Sequence, residues 1–293
     1  VALAAQIKEA HARGEEFMIG MWTGASTAPE LDGALAEVDG VSFRTPYQSD
    51  PIMRSKINAG ISEYSDIHLS HLAPMVWEGF MGKLHTAVVE VTAIAEDGEL
   101  VPSSSVGNNK TYLDQADQII LEVNSWQSAD LEGMHDIYYG TRLPPERQPV
   151  MLTHTGDRIG QRNYKLDLDK VVAVIETDAP DRNTPFKPAD EDSKKMAGFF
   201  LEFLTHEVKR GRLPKDLLPL QSGVGNVANA VLVGLLEGPF DNLTSYTEVI
   251  QDGMVDLIDS GKMTVASATA FSLSPEYAHR MNEEARHYRD KIV

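Results

Sequence analysis

Residues 221–248 read QSGVGNVANAVLVGLLEGPFDNLTSYTE, and the reading of the fold starts there. An apolar, proline-bounded stretch at 217–220 runs into the glycine turn Gly223-Val224-Gly225-Asn226. A small-residue helix is predicted over 227–236, and a second turn, Glu237-Gly238-Pro239, leads to Tyr246-Thr247-Glu248. Strand, glycine turn and helix start aim several free backbone N–H groups at one place, which suits an anion or a developing oxyanion. The turn also matches part of the nucleotide-binding G-x-G-x-x-G pattern. Ala228 stands at the third glycine, however, and a lone G-x-G carries little weight.

Outward from this stretch, apolar runs alternate with amphipathic ones. Helix is expected over 1–14, 31–38, 51–59 and 190–210, with a short one from 112 to 116. Strands are expected at 16–22, 41–44, 86–94, 100–101, 118–123 and 170–176, and near 264–266. The first of these should end in the small-residue turn 23–27, where open α/β sheets place ligand loops. TAVVEVTAI at 86–94 and KVVAVIE at 170–176 are β-branched and continuous, as strands buried on both faces should be. Met196, Phe199, Phe200, Phe203 and Leu204 form one apolar stripe on the 190–210 helix. After Glu248 come a helix at 252–260, a loop at 267–275 and a terminal helix from Pro275. Such alternation predicts an open, mainly parallel sheet with helices on both faces. Residues 124–149 read as a long loop, and the proline-rich 143–149 segment is the expected link between halves of the fold.

The chain has 293 residues, 42% of them hydrophobic, which is enough for a large core in one domain or two. It contains no cysteine, which excludes disulfides and thiolate chemistry and fits a cytoplasmic protein. No apolar run approaches ~20 residues, and the opening VALAA passes directly into charged helix, so neither a membrane span nor a secretory signal is expected. A net charge of −18 argues against nucleic-acid and acidic-membrane partners. His68 and His71 have helical spacing but no carboxylate cluster nearby, so they read as packing residues and no metal site is expected. Lys209-Arg210-Gly211-Arg212 suits the negative end of its helix; contact with a polyphosphate is the rival reading.

QSGVGNVANAVL followed by EGPFDNLTSYTEVIQDGM resembles the acetyl-CoA hydrolase/transferase family of class I CoA-transferases, nearest its bacterial succinyl-CoA:acetate CoA-transferases. The segments Thr23-Gly24-Ala25-Ser26, Ile57-Asn58-Ala59-Gly60, Ser105-Val106-Gly107-Asn108, Leu131-Glu132-Gly133 and Ser272-Leu273-Ser274-Pro275 agree with it along nearly the whole chain. The family nucleophile is a glutamate 24 residues after the valine of S-G-V-G-N, and Glu248 stands 24 residues after Val224.

The resemblance implies a NagB/RpiA-type α/β fold, with 1–293 forming the N-terminal domain without its first glycine-rich loop and without the C-terminal domain. It implies CoA transfer between an acyl-CoA and a small carboxylic acid, with succinyl-CoA and acetate favoured, through a glutamyl-CoA thioester. An acetyl-CoA hydrolase and an inactive CoA-binding half-protein are the alternatives. Glu248 would be the nucleophile, with oxyanion donors on the backbone at Val224 or Gly225. Gln221, Ser222, Gly223, Val224, Gly225 and Asn226 would hold CoA, and Arg182 would face the substrate. Asn226 could equally cap or pack the helix, as could Asn229, and Arg182 could be a salt-bridged surface residue. CoA would be substrate, with no permanently bound cofactor, and the full-length form would be a homodimer.

The chemistry suits the residues. A glutamate of ordinary pKa, ~4.3, is ionised at neutral pH and needs no partner base. No Ser-His-Asp constellation is evident, and none is required.

Overall fold

The strand–helix alternation is realised in two separate units in the computed structural model, which describes residues 1–26, 29–138, 143–182 and 189–293. Thr27 of the expected first turn and residues 139–142 of the expected long loop lie outside the described residues. The division falls between Leu84 and His85, not at the proline-rich 143–149 segment.

The smaller unit comprises Val1–Leu84 together with Arg182. Its elements are α1 (Ala2–Ala12), β1 (Ile19–Ser26), α2 (Asp32–Ala36), β2 (Val41–Gln48), α3 (Pro51–Asn58), β3 (Glu63–Tyr64) and α4 (Leu69–Trp77). The three strands form one parallel sheet in the order β1-β2-β3. Ala4 and Ile7 of α1, one helical turn apart, bury against Met21, Leu35, Val41 and Met53. Asp50 caps α3 by accepting the N–H groups of Ile52 at 2.8 Å and Met53 at 2.9 Å, with Pro51 at the first helical position. Arg44 and Asp32 form a wholly buried ion pair at 2.7 Å. The guanidinium also donates to the Tyr47 carbonyl at 3.0 Å, so this desolvated charge is hydrogen-bonded as well as paired.

The first strand corrects one expectation. It starts later and runs through Thr23-Gly24-Ala25-Ser26 instead of turning there. Its neighbour β2 extends to Gln48, and a register shift between Trp22 and Ala25 keeps the small residues in the ladder, with Ala25 opposite Tyr47 and Ser26 opposite Gln48.

The larger unit holds the other described residues from His85 onward. It contains β4 (Thr86–Ile94), β5 (Leu100–Pro102), α5 (Asn109–Gln115), β6 (Gln118–Asn124), β7 (Val171–Thr177), α6 (Glu191–Lys209) and α7 (Asn226–Glu237). These are followed by β8 (Leu243–Tyr246), β9 (Val249–Ile250), α8 (Asp252–Asp259), β10 (Met263–Ser267), β11 (Ala270–Phe271), α9 (Pro275–Glu283) and α10 (Ala285–Tyr288). One sheet has the order β5-β4-β6-β7; β4, β6 and β7 are parallel, and β5 returns antiparallel through the Gly98 turn. Two short parallel pairs, β8 with β10 and β9 with β11, flank the glutamate segment. Leu232 and Leu235 of α7 meet Ile250, Met254 and Ile258 in the main core, against Tyr288.

The mainly parallel α/β architecture stands, and three finer expectations are corrected. Strand β4 buries Ala87, Val89 and Val91 but exposes Val88. No residue of β7 is buried; β7 is one edge of its sheet and pairs only with β6, whereas β5 at the other edge is buried throughout. Of the α6 stripe only Leu204 turns inward, with Ser193 and Ala197; Phe199 is 71% exposed and Phe203 55%. Helix α6 packs on α7 through Leu201, which lies over Gly234. Residues 217–220 form no strand; they contribute one parallel bridge, Leu220 to Ser245.

Candidate active site

Glycine decides the local path of the turn. Gly225 has φ +153° and ψ 169°, a region open almost only to glycine, and it stands directly before the first residue of α7. Asn226 is therefore the first helical residue and not the cap. The carbonyl of Gly225 accepts the Asn229 N–H at 3.0 Å. No hydrogen bond within the described residues takes the N–H of Gly223, Val224 or Gly225. Gln221, Gly223 and Val224 are exposed. A turn with free donors at a helix start is a fitting place for negative charge.

Glu248 lies between β8 and β9, and its side chain is exposed. Its backbone is fixed from the opposite side. Thr269 donates to the Glu248 carbonyl twice, from its N–H at 2.9 Å and from Oγ1 at 2.8 Å. The preceding N–H, of Thr247, donates to the Ser267 carbonyl at 2.9 Å.

The turn and the glutamate segment are joined directly. Thr247 Oγ1 donates to the Ser222 carbonyl at 3.1 Å and accepts the Ser222 N–H at 3.4 Å. Gln251 Nε2 donates to the Gly223 carbonyl at 3.0 Å. The Leu220 N–H donates to the Thr244 carbonyl at 2.8 Å, and the Tyr246 N–H donates to the Leu220 carbonyl at 2.9 Å. The structure thus brings together Ser222, Gly223, Val224, Gly225 and the Glu248 segment.

Beside this segment is a cavity of ≈ 300 Å³, whose wall includes Ser104, Ser105, His135, Thr247 and Thr269. His135 Nε2 is 2.9 Å from the Ser103 carbonyl. Burial holds its pKa down to about 4, helped by Arg158 and opposed by the Ser103 carbonyl. A polar cluster lies nearby: Gln127 Nε2 donates to Glu90 at 3.1 Å and to Asp181 at 2.8 Å, and Asn124 donates to Glu90 at 2.9 Å. Burial raises the pKa of both carboxyls.

Arg182 belongs to the smaller unit and there pairs with Glu30. Arg212 of the basic cluster pairs with Glu207. The His68 and His71 rings pack edge-on, 5.4 Å apart, and no group of three potential metal-ligating side chains exists among the described residues. No described helix is long and apolar enough to cross a membrane. Thr247, Gln251 and Thr269 escaped the sequence reading. The one available signal was a polar glutamine directly after Val249-Ile250, which also reads as an ordinary helix start.

Residues 1–176 match the acetyl-CoA hydrolase/transferase N-terminal domain. The chain belongs to the acetyl-CoA hydrolase/transferase family. The glycine turn and Glu248 lie beyond that match, but relatives of the family align across them. The chain is 42% identical over 286 residues to a succinyl-CoA:acetate CoA-transferase of Clostridium kluyveri, covering 98% of this chain and 53% of that protein. It is 40% identical over 279 residues to an acetyl-CoA hydrolase of Neurospora crassa, covering 93% and 53%. A propanoyl-CoA:succinate CoA transferase of Escherichia coli is 36% identical over 293 residues, covering 100% and 59%. The chain thus spans about half the length of the curated relatives it matches. Among solved structures, 4-hydroxybutyrate CoA-transferase from Porphyromonas gingivalis shares the fold at TM-score 0.56 and 17% identity, covering 98% of this chain and 65% of that one. RipA from Yersinia pestis does so at TM-score 0.63 and 16% identity, covering 98% and 59%.

Proposed function

We propose that this chain is the N-terminal, nucleophile-bearing part of a cytoplasmic CoA-transferase that exchanges CoA between an acyl-CoA and a small carboxylic acid. The observation that carries the reading is the hydrogen-bonded union of the glycine turn, with its free N–H groups, and the segment bearing an exposed Glu248. Family membership supports it.

In this mechanism a Glu248 carboxylate oxygen attacks the thioester carbonyl of the acyl-CoA. The C–S bond breaks and CoA leaves as thiolate, giving an acyl-glutamyl anhydride. The thiolate attacks the glutamyl carbonyl, the anhydride C–O bond breaks, and the first acid departs as carboxylate. What remains is a glutamyl-CoA thioester. A second carboxylate then runs the two steps in reverse, with no net proton uptake or release. Each attack places negative charge on a carbonyl oxygen. The N–H of Val224 or Gly225 receives it, and losing one such donor typically costs ~2.7–4 kcal/mol. The remainder of the pocket, and the homodimer in which it works, belong to the full-length protein.

Succinyl-CoA and acetate are the proposed pair, because the Clostridium kluyveri relative carries that name. Hydrolysis is the second reading, since the Neurospora crassa relative is an acetyl-CoA hydrolase. The two differ only in whether a carboxylate or water attacks the glutamyl thioester, so water exclusion decides between them. Acetate-dependent consumption of succinyl-CoA by the full polypeptide, compared with its Glu248→Gln variant, tests the proposal. Loss of at least 1000-fold (on the order of the ~10³ or more expected when a nucleophile is removed) is the expected outcome. A Glu248→Gln protein of undiminished rate overturns it.

A further inference from the structure

We propose that Gln251 and Thr247 are positioning residues that set the direction of the Val224 and Gly223 N–H groups. The inference rests on the proposed role of the turn as oxyanion donor and assigns what holds that donor in place.

A peptide unit is planar and trans, so its C=O and N–H point in opposite directions and cannot rotate independently. The carbonyl of Gly223 and the N–H of Val224 belong to one such plane. Gln251 Nε2 holds that carbonyl at 3.0 Å, and therefore aims the Val224 N–H the other way. The plane before it, the Ser222 carbonyl with the Gly223 N–H, is held by Thr247 Oγ1 at 3.1 Å. The Val224 donor and the Gly223 N–H before it are thus fixed from behind, by two residues four apart that bracket Glu248, Val249 and Ile250. The pinning is needed because the turn is flexible by composition: Gly223 and Gly225 flank Val224 and impose little torsional restraint. A hydrogen bond accepted by the carbonyl also polarises its peptide, strengthening the N–H on the far side.

The Gln251 side chain makes no other hydrogen bond among the described residues. It is wholly buried, and its Oε1 has no partner among the described residues. A buried amide with one end unsatisfied is costly, and a leucine at this place would remove that cost. The carbonyl it serves can only accept, so the nitrogen end of the amide must face it.

The test uses the full polypeptide, purified as Gln251→Met and Gln251→Glu alongside Glu248→Gln. Methionine keeps the shape and removes the donor. We expect kcat to fall about 10- to 100-fold, below the ~10²–10³ of an outright lost oxyanion donor, with KM for acyl-CoA within about twofold. In Gln251→Glu only the neutral carboxyl can donate to Gly223, so its deficit against the parent should narrow as pH falls. Thr247→Ser, which keeps the hydroxyl, should be mild where Thr247→Val is not. A Gln251→Met protein with parental kcat overturns the inference. Should that variant fail to fold, a Gln251→Glu deficit that is constant with pH overturns it instead. Loss of exchange in Glu248→Gln with no loss in Gln251→Met would sink this inference alone; retained exchange in Glu248→Gln sinks the reading beneath it.

Discussion

His135 stands in the wall of the cavity with Nε2 on the Ser103 carbonyl, and its Nδ1 is buried without a partner among the described residues. With its folded pKa held down to about 4 against ~6.5 in an unfolded chain, the proton balance has a definite sign. Between those values the unfolded chain binds a proton that the fold does not, so stability rises with pH across that window and is lost on acidification. The loss attributable to this one residue is on the order of 2 kcal/mol at pH 5. Glu90 and Asp181 act in the opposite sense: their raised pKa values mean that the fold keeps protons the unfolded chain has released, and stability falls as pH rises past the ordinary carboxylate range. A His135→Gln variant, which can still donate to Ser103, should therefore lose less thermal stability than the parent between pH 7 and pH 5. Parallel losses in the two proteins would contradict the assignment. At this scale the resemblance of the S-G-V-G-N segment singled out Glu248, and the structure places that residue exposed between β8 and β9. The sequence was silent where burial creates the chemistry, as for His135 and Gln251, because neither residue type nor neighbours reveal which side chain ends in the interior.

Two glycines show what element packing tolerates. A Cβ at Gly160 would lie 2.2 Å from the Ile137 carbonyl oxygen and 2.4 Å from its carbon. Those are backbone atoms held by the paired hydrogen bonds between Ile137 and Gln161, at 2.7 and 2.9 Å, and they cannot step aside. A Cβ at Gly234 of α7 would meet the Leu201 side chain, 2.1 Å from Cδ1, but that is the end of a flexible side chain that can swing away. Alanine also gains about 1 kcal/mol over glycine inside a helix. Gly160→Ala should accordingly lower the urea midpoint by an amount equivalent to about 1–3 kcal/mol at unchanged slope, and Gly234→Ala should stay near the parent. The reverse order would show that α6 and α7 are packed more rigidly than the side-chain contact implies. Element type was largely readable: β4 spans the expected 86–94, and the α6 stripe marks a helix. Which face each element buries was not readable. Periodicity describes a strand or helix by itself, whereas the edge position of β7 and the outward turn of Phe199 depend on the order of neighbours.

The chain's charge of −18 opposes the polyanionic CoA of the proposed function, so any grip on it must be local. In the proposed function the free N–H groups at 223–225 supply that grip, for they carry no counter-charge and lie at a helix start. The two-unit division was hidden from the sequence, because the boundary at Leu84 has less proline than 143–149, where the punctuation is heaviest. The proposed exchange must pass through one species that joins the protein to CoA, a thioester between Glu248 and CoA. Incubating the full polypeptide with succinyl-CoA, reducing it with borohydride and mapping the peptides by mass spectrometry reads that species directly. Glu248 alone should be converted to the alcohol, and excess acetate should lower the conversion by discharging the thioester. Modification of a different glutamate, with Glu248 recovered intact, would contradict the proposed mechanism.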